Sequence, residues 1–177
     1  PIVYRKYPLE TIDANVTGLR RFLDHASGQK NIKGMLFFST SEIYGDPTPD
    51  AIPTPETYKG FVSCTGPRAC YDESKRLGET LCVTFAGTRN VPVKIARPFN
   101  NYGPGLGLND GRVLSDFVNN VLAGKDIEMF SDGRPMRTFC YVADAVAGYL
   151  KILVRGRPGE AYNIGIETPE ISMRELA

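Results

Sequence analysis

Tyr71 and Lys75 are the residues of this 177-residue chain whose types and spacing first suggest chemistry. They stand four positions apart in a segment with helical periodicity, so both side chains would lie on one face of a helix. A tyrosine hydroxyl has a pKa of about 10 and is a weak base at neutral pH. An ammonium group one turn away favours the phenolate, so the pair could take a proton from a substrate hydroxyl. By spacing alone, a simple surface pair on a helix is the more economical interpretation.

Thr40, Ser41 and Glu42 form a second group of candidate residues. They follow the apolar run of residues 35–38, which is typical of a buried parallel strand. In open α/β sheets, ligands bind at the carboxyl ends of the strands. A hydroxyl at that position could hydrogen-bond both a substrate hydroxyl and the tyrosine oxygen, whereas a turn or N-cap role is the alternative for Ser and Thr.

The elements that must position these residues alternate between helix and strand. Helical periodicity covers residues 11–26, 71–86, 112–123 and 142–153. Short apolar runs predict strands at residues 35–38, 91–96, 127–130 and 162–164. Residues 45–69 form a long proline-containing segment, which predicts a functional or mobile loop. This alternation predicts an α/β fold with a parallel sheet.

Composition excludes several classes of partner. The net charge is +1, which gives no electrostatic reason to expect nucleic acid or an anionic membrane as a partner. Cys64, Cys70, Cys82 and Cys140 show no C-x-x-C spacing and His25 is the only histidine, so no metal site is predicted. Reduced thiols in a cytoplasmic protein are the simplest interpretation, although counting cysteines leaves disulfides open.

Five segments of the chain together resemble the extended short-chain dehydrogenase/reductase family, that is, the NAD-dependent epimerases and dehydratases. In chain order they are FFSTSEIYGDP (37–47), YDESKR (71–76), ARPFNNYGP (96–104), NDGRV (109–113) and RTFCYVAD (137–144). The resemblance implies a partial Rossmann-like parallel sheet with helices on both faces, plus a small α+β substrate-binding region. Residues 1–98 and 137–155 would belong to the NAD-binding domain, and residues 99–136 and 156–177 to the substrate-binding region.

Within this family, the chain is most similar to the UDP-glucuronate decarboxylases. Thr40-Ser41-Glu42, residues 66–73 and residues 109–113 carry this similarity. Dehydratase relatives usually have an aspartate where Ser41 stands, and 4-epimerases usually lack a carboxylate at the position of Glu42. A dTDP- or UDP-sugar 4,6-dehydratase, a 4-epimerase, and a non-catalytic nucleotide-sugar-binding relative or inactive fragment remain alternatives.

The resemblance also implies roles for individual residues. Tyr71 would take a proton from the sugar C4 hydroxyl while hydride passes to NAD, and Thr40 would hold that oxygen. The implied sets are Thr40, Ser41, Glu42, Tyr71 and Lys75 for catalysis, Tyr71, Lys75 and Pro98 for the cofactor, and Arg68, Asn100, Arg112, Val113 and Arg137 for the substrate. A loop ion pair for Arg68, a surface ion pair for Arg137 and helix-end solvation for Arg112 are the alternatives.

The glycine-rich G-x-G-x-x-G fingerprint of the family is absent from the sequence. We therefore expect a chain truncated at both ends, which by itself binds NAD weakly or not at all, with activity in the parent protein. The family often forms homodimers through two helices per subunit. By resemblance, these would be the helices at residues 11–26 and 71–86.

Overall fold

The computed structural model describes residues 2–108 and 111–177. The helices are α1 (Ile2–Lys6), α2 (Pro8–Ile12), α3 (Leu19–Ser27), α4 (Ala69–Arg89), α5 (Val113–Leu122), α6 (Val142–Arg155) and α7 (Met173–Leu176). The strands are β1 (Met35–Phe38), β2 (Val93–Pro98), β3 (Asn101–Tyr102), β4 (Met136–Arg137), β5 (Cys140–Tyr141), β6 (Ala161–Ile164) and β7 (Ile171–Ser172). A π-helical segment (Asp13–Gly18) joins α2 to α3, so the predicted helix at 11–26 is helical throughout.

The main sheet contains β1, β2 and β6 in that order, and both pairings are parallel. The central strand β2 is buried along almost its whole length, including the charged residues Lys94 and Arg97. The predicted α/β fold with a parallel sheet is confirmed. Residues 161–164 form β6 and pair with β2 in the main sheet, whereas the sequence analysis assigned them to the substrate-binding region. The rest of that division stays a prediction.

Helices cover both faces of this sheet. Successive strand residues point to opposite faces: the Phe37 ring lies beneath Gly78 of α4, whereas the Phe38 ring makes an edge contact with Tyr149 of α6. The main core lies on the α3 and α4 side and includes Leu23, Cys82, Phe85, Val93 and Ile95.

Gly78 sets how closely α4 approaches β1. A Cβ atom at this position would lie 2.6 Å from the Phe37 ring, a separation that packed atoms do not reach. Glycine costs a helix about 1 kcal/mol relative to alanine. Its presence here therefore indicates that close packing of the helix on the strand outweighs helix propensity.

The predicted strand at residues 127–130 is wrong. All four residues are described, and they form no strand. Their apolar side chains do not cover a sheet, and Phe130 is 85% exposed. Two short ladders stand nearby, a parallel one of β3 with β5 and an antiparallel one of β4 with β7. Within residues 2–108 and 111–177, no helix has the length and apolar character needed to cross a membrane.

Candidate active site

The residues that follow β1 form a tight turn at the carboxyl edge of the sheet. Thr40 is its N-cap, and its Oγ1 accepts a hydrogen bond of 3.2 Å from the backbone N–H of Glu42. Ser41 through Tyr44 then complete one turn of 3-10 helix. We call residues 40–44 the catalytic turn. The N-cap role and the functional role of Thr40 are thus compatible, because capping fixes the position of its hydroxyl.

The first two turns of α4 bring Tyr71 and Lys75 to this turn. The Thr40 side chain lies close enough to the Tyr71 hydroxyl to lower its pKa. The Nζ atom of Lys75 donates a 2.8 Å hydrogen bond to the Phe38 carbonyl and lies 5.9 Å from the centre of the Tyr71 ring. The structure therefore brings together the hydroxyl, phenol and ammonium groups that the sequence pattern singled out.

The electrostatics of Tyr71 differ from the sequence expectation. Burial raises the pKa of Tyr71 above its ordinary value of 10.0, and the nearby Glu42 carboxylate raises it further. The Thr40 side chain and the positive charge of Arg112 lower this pKa, but the pKa of Tyr71 is still raised overall. Burial likewise lowers the pKa of Lys75. The expected lowering of the Tyr71 pKa by its lysine neighbour is therefore wrong, because desolvation of the phenol is the largest effect and raises its pKa.

Glu42 and Arg68 meet across the mouth of this site. The NH2 group of Arg68 donates a hydrogen bond of 2.5 Å to Glu42 Oε2. The same nitrogen lies 3.5 Å from Asp72 Oδ1. Burial raises the pKa of Asp72, with Arg68 opposing this effect. Arg68 thus makes the ion pair that the sequence analysis considered as its alternative role, and its partner Glu42 belongs to the catalytic turn.

Tyr4 is a contact that sequence reasoning missed. Its ring stacks on that of Tyr71, with the centroids 5.0 Å apart and an angle of 14° between the planes. The Arg68 guanidinium lies 6.0 Å from the Tyr4 ring centre. No local pattern marks this tyrosine, because the contact arises only when the first helices pack against α4.

A separate cavity of about 310 Å³ lies beside α5. Three of the residues assigned to substrate binding line it, namely Asn100, Val113 and Arg137. Arg112, the N-cap residue of α5, is exposed beside them and lies close enough to Tyr71 to affect its pKa. Asn109 and Asp110 of the NDGRV segment lie outside the described residues.

The cavity also contains residues that the sequence did not identify. Its apolar walls are Phe117, Met129, Phe130 and Met173, and its acidic members are Asp116 and Glu128. The segment mistaken for a strand thus supplies part of the cavity wall. The signal that could have identified it is an apolar pair, Met129 and Phe130, directly before the turn at residues 131–135.

Pro98 is the last residue of β2, at the same carboxyl edge of the sheet as the catalytic turn. It is partly buried and pairs with Ile164 of β6.

Comparisons with known proteins agree with this geometry. Residues 2–165 match the model of the NAD dependent epimerase/dehydratase family. UDP-glucuronic acid decarboxylase 3 of Arabidopsis thaliana is 41% identical over 178 aligned positions, which cover 100% of this chain and 50% of that protein. The chain therefore spans about half the length of the curated relatives it first matches.

Solved structures give the same result for the fold. A UDP-glucose 4-epimerase from Thermotoga maritima has a TM-score of 0.87 at 25% identity, with 99% of this chain and 54% of that one covered. A dTDP-glucose 4,6-dehydratase from Bacillus anthracis, in complex with NAD, has a TM-score of 0.81 at 27% identity, with 93% and 50% covered. With the family match over almost its whole length, the chain belongs to the NAD dependent epimerase/dehydratase family.

Proposed function

We propose that the full-length gene product containing this chain oxidises a nucleotide sugar at C4 with NAD, and that its reaction is the decarboxylation of UDP-glucuronate. The observation that carries this proposal is the convergence of Thr40, Tyr71 and Lys75 at the carboxyl edge of a parallel sheet. UDP-glucuronic acid decarboxylases among the relatives, at up to 41% identity, support the choice of reaction.

The residues present fit part of an NAD site. An ammonium group has three N–H donors, and the Phe38 carbonyl takes one from Lys75, so two can reach ribose hydroxyls. Tyr71 and Pro98 would stand beside the nicotinamide end. Bound NAD would supply the acceptor for a hydride. The G-x-G-x-x-G phosphate-binding fingerprint does not occur in these 177 residues.

The chain's own residues would manage the proton and the sugar. Tyr71 takes the proton of the C4 hydroxyl; burial raises its pKa, while the Thr40 side chain and the charge of Arg112 act in the opposite direction, towards the phenolate. Once C4 is a ketone, a C6 carboxylate belongs to a β-keto acid and can leave as carbon dioxide, with its electrons passing into the ketone. The resulting enol is then protonated at C5, and return of the hydride to C4, with the proton from Tyr71, would leave a UDP-pentose. Glu42 and Arg68, already paired at the site, would orient the sugar ring or its carboxylate.

The cavity beside α5 suits the nucleotide part of such a substrate. Arg112 and Arg137 can each offer a planar pair of donors to a diphosphate, while Asn100 and Val113 contact the nucleotide. The side chain of Phe130 is exposed, which makes an aromatic face available for a base.

The other family reactions are the competing proposals. A 4,6-dehydratase needs an acid to protonate leaving water, and Ser41 has no readily available proton of that kind. The Glu42 carboxylate distinguishes the chain from the usual 4-epimerase pattern. A relative that only binds a nucleotide sugar would have no need for a proton-transfer group such as Tyr71 with Thr40.

The deciding experiment incubates the full-length gene product with NAD and UDP-glucuronate labelled with ¹³C at C6. We expect labelled carbon dioxide and a UDP-pentose. A C4 epimer with the label retained would identify an epimerase, and a 4-keto-6-deoxy sugar formed from dTDP- or UDP-glucose would identify a dehydratase. Binding without turnover of any of these sugars would favour the non-catalytic alternative.

We also propose that the protein acts as a cytoplasmic homodimer. The exposed apolar side chains of Leu9 and Phe22 on the first helical run and of Leu77 and Val83 on α4 support a helix-mediated contact between two copies. Light scattering of the full-length protein and of its Phe22→Asp variant tests this: a monomeric variant is expected, and an unchanged mass would exclude this surface as the contact.

A further inference from the structure

We infer that Tyr44, Arg97 and Glu79 form an anchor that positions the catalytic turn relative to α4, and that Tyr44 is its key positioning residue. This inference rests on the proposed function, because it concerns how Thr40 is held against Tyr71 for proton transfer. None of the three residues was singled out by its sequence pattern.

Arg97 is the centre of the anchor. It carries a positive charge and is nevertheless only 8% exposed, because it lies on the central strand β2. Its Nε and NH2 groups donate to the two carboxylate oxygens of Glu79, at 2.9 Å and 2.6 Å. Its NH1 group donates to the Tyr44 hydroxyl at 2.7 Å and to the Glu56 carbonyl at 2.8 Å. A buried guanidinium whose partners lie on a helix, a turn and a loop fixes those elements relative to one another.

Glu79 belongs to the same helical face as the proposed catalytic residues. Tyr71, Lys75 and Glu79 follow one another at intervals of four along α4. Tyr71 interacts with Thr40 of the catalytic turn, Lys75 donates to the Phe38 carbonyl at the end of β1, and Glu79 pairs with Arg97 of β2. These contacts therefore hold α4 along the face that carries Tyr71 and Lys75. We expect a substitution at Glu79 to shift the position of Tyr71.

Tyr44 connects this ion pair to the catalytic turn. It is the last residue of that turn and is 1% exposed. Its hydroxyl accepts from Arg97 and donates at 2.7 Å to Asn163 Oδ1 on β6. Asn163 in turn donates to the Thr54 carbonyl at 2.8 Å, and its backbone N–H donates to Glu56 Oε1 at 2.9 Å. The hydroxyl of Tyr44 thus joins the turn to this buried network, while Arg76 of α4 holds the turn separately through a 2.9 Å hydrogen bond to the Ile43 carbonyl.

The test compares the full-length protein with its Tyr44→Phe variant, which keeps the ring and removes that hydroxyl. Hydrogen exchange would follow the amides of Glu42 and Gly45, whose bonds belong to the turn, and those of Ile95 and Ala96 in the sheet. We expect about tenfold faster exchange in the turn and unchanged exchange in β2. In steady-state kinetics we expect kcat to fall about ten- to a hundredfold with KM for the nucleotide sugar unchanged.

Two further variants keep the result interpretable. Glu79→Gln retains shape and weakens the hold on Arg97, so it serves as the second test if Tyr44→Phe does not fold. Glu160→Gln disturbs an exposed ion pair with Arg157 and is the matched control, with neither exchange nor kcat expected to change.

The possible outcomes separate this inference from the proposed function. Exchange in the turn that stays at the wild-type rate overturns the anchor, and equal acceleration in turn and sheet shows a general structural role instead. Faster exchange in the turn with unchanged kcat overturns its role in positioning. A wild-type protein that turns over no nucleotide sugar contradicts the proposed function, and the anchor itself is then judged by hydrogen exchange.

Discussion

The two parts of the candidate site are held in different ways. Around the catalytic turn, Tyr44, Arg97 and Glu79 are buried and share directional hydrogen bonds. Around the cavity, Arg112 and Arg137 are exposed, and the nearby ladders have only two residue pairs each. Proton transfer needs atoms held within a few tenths of an ångström, whereas a flexible diphosphate can be met by long side chains. The contrast suggests that rigidity is concentrated where the chemistry occurs.

The first way to break this contrast is to remove the proposed base. Tyr71→Phe in the full-length protein should lower kcat by about 10²- to 10⁴-fold while nucleotide affinity is retained, because the phenol hydroxyl moves the proton and the cavity is untouched. Steady-state kinetics and calorimetry with UDP measure the two effects. Tyr7→Phe, at an exposed tyrosine, is the control and should leave both unchanged. Activity of Tyr71→Phe close to that of the wild type would refute the assignment.

A second prediction concerns stability. Glu79→Ala should lower the free energy of unfolding by about 3–5 kcal/mol, because it leaves the buried Arg97 guanidinium without its carboxylate. Burial disfavours the charge of Arg97, but the hydrogen bonds that it donates to Glu79 outweigh this effect, and the pKa of Arg97 is raised overall. Urea unfolding measures the change. Glu160→Ala removes an exposed partner instead and should cost less than about 1 kcal/mol; equal losses in the two variants would contradict the contrast.

Substitutions in the cavity beside α5 should change affinity and leave stability unchanged. Arg137→Gln should weaken binding of a nucleoside diphosphate by about 1.5–3 kcal/mol, the contribution of a hydrogen bond to a charged group, and leave the free energy of unfolding unchanged. Calorimetry with UDP and thermal unfolding test the two parts. Arg134→Gln is the control, since its side chain is highly exposed outside the cavity lining. A loss of stability in place of affinity would show that Arg137 is structural.

The smallest effect expected separates close packing from helix propensity within α4. Gly78→Ala should destabilise the protein by about 1–3 kcal/mol, because its methyl group would collide with the Phe37 ring. Gly87→Ala meets nothing within 4 Å in the same helix and should be neutral or stabilising by up to about 1 kcal/mol. Thermal unfolding of both variants is the measurement, and a neutral Gly78→Ala would show that α4 can move away from β1.

Local patterns predicted much of this fold. Helical periodicity and short apolar runs gave α4, α5, α6 and the strands β1 and β2 to within a few residues, because each buries an uninterrupted face or stripe. The same rule failed at residues 127–130, where the apolar side chains of Met129 and Phe130 line a cavity and do not belong to a sheet. Its failure has a physical cause, since periodicity reports which side chains are apolar and not what covers them.

The candidate site was predictable only in part. Thr40, Tyr71 and Lys75 could be placed together because strand ends and helix starts meet at one edge of a parallel sheet. The direction of the Tyr71 pKa shift could not be predicted from the sequence, because it depends on burial, which is a property of the whole fold. Arg97, Tyr44 and Tyr4 depend on contacts between distant segments and have no signature in their own neighbourhood.

The anchor of the catalytic turn also has a consequence for the order of folding. The hydrogen bond from Tyr44 to Asn163 joins residues 119 positions apart, and the contacts of Asn163 with residues 54 and 56 span 109 and 107 positions. Closing such long loops is entropically unfavourable and comes late. During synthesis, β1 and α4 would leave the ribosome well before residue 163. The turn that carries Thr40 would therefore reach its final geometry among the last parts of the protein, after the sheet is complete.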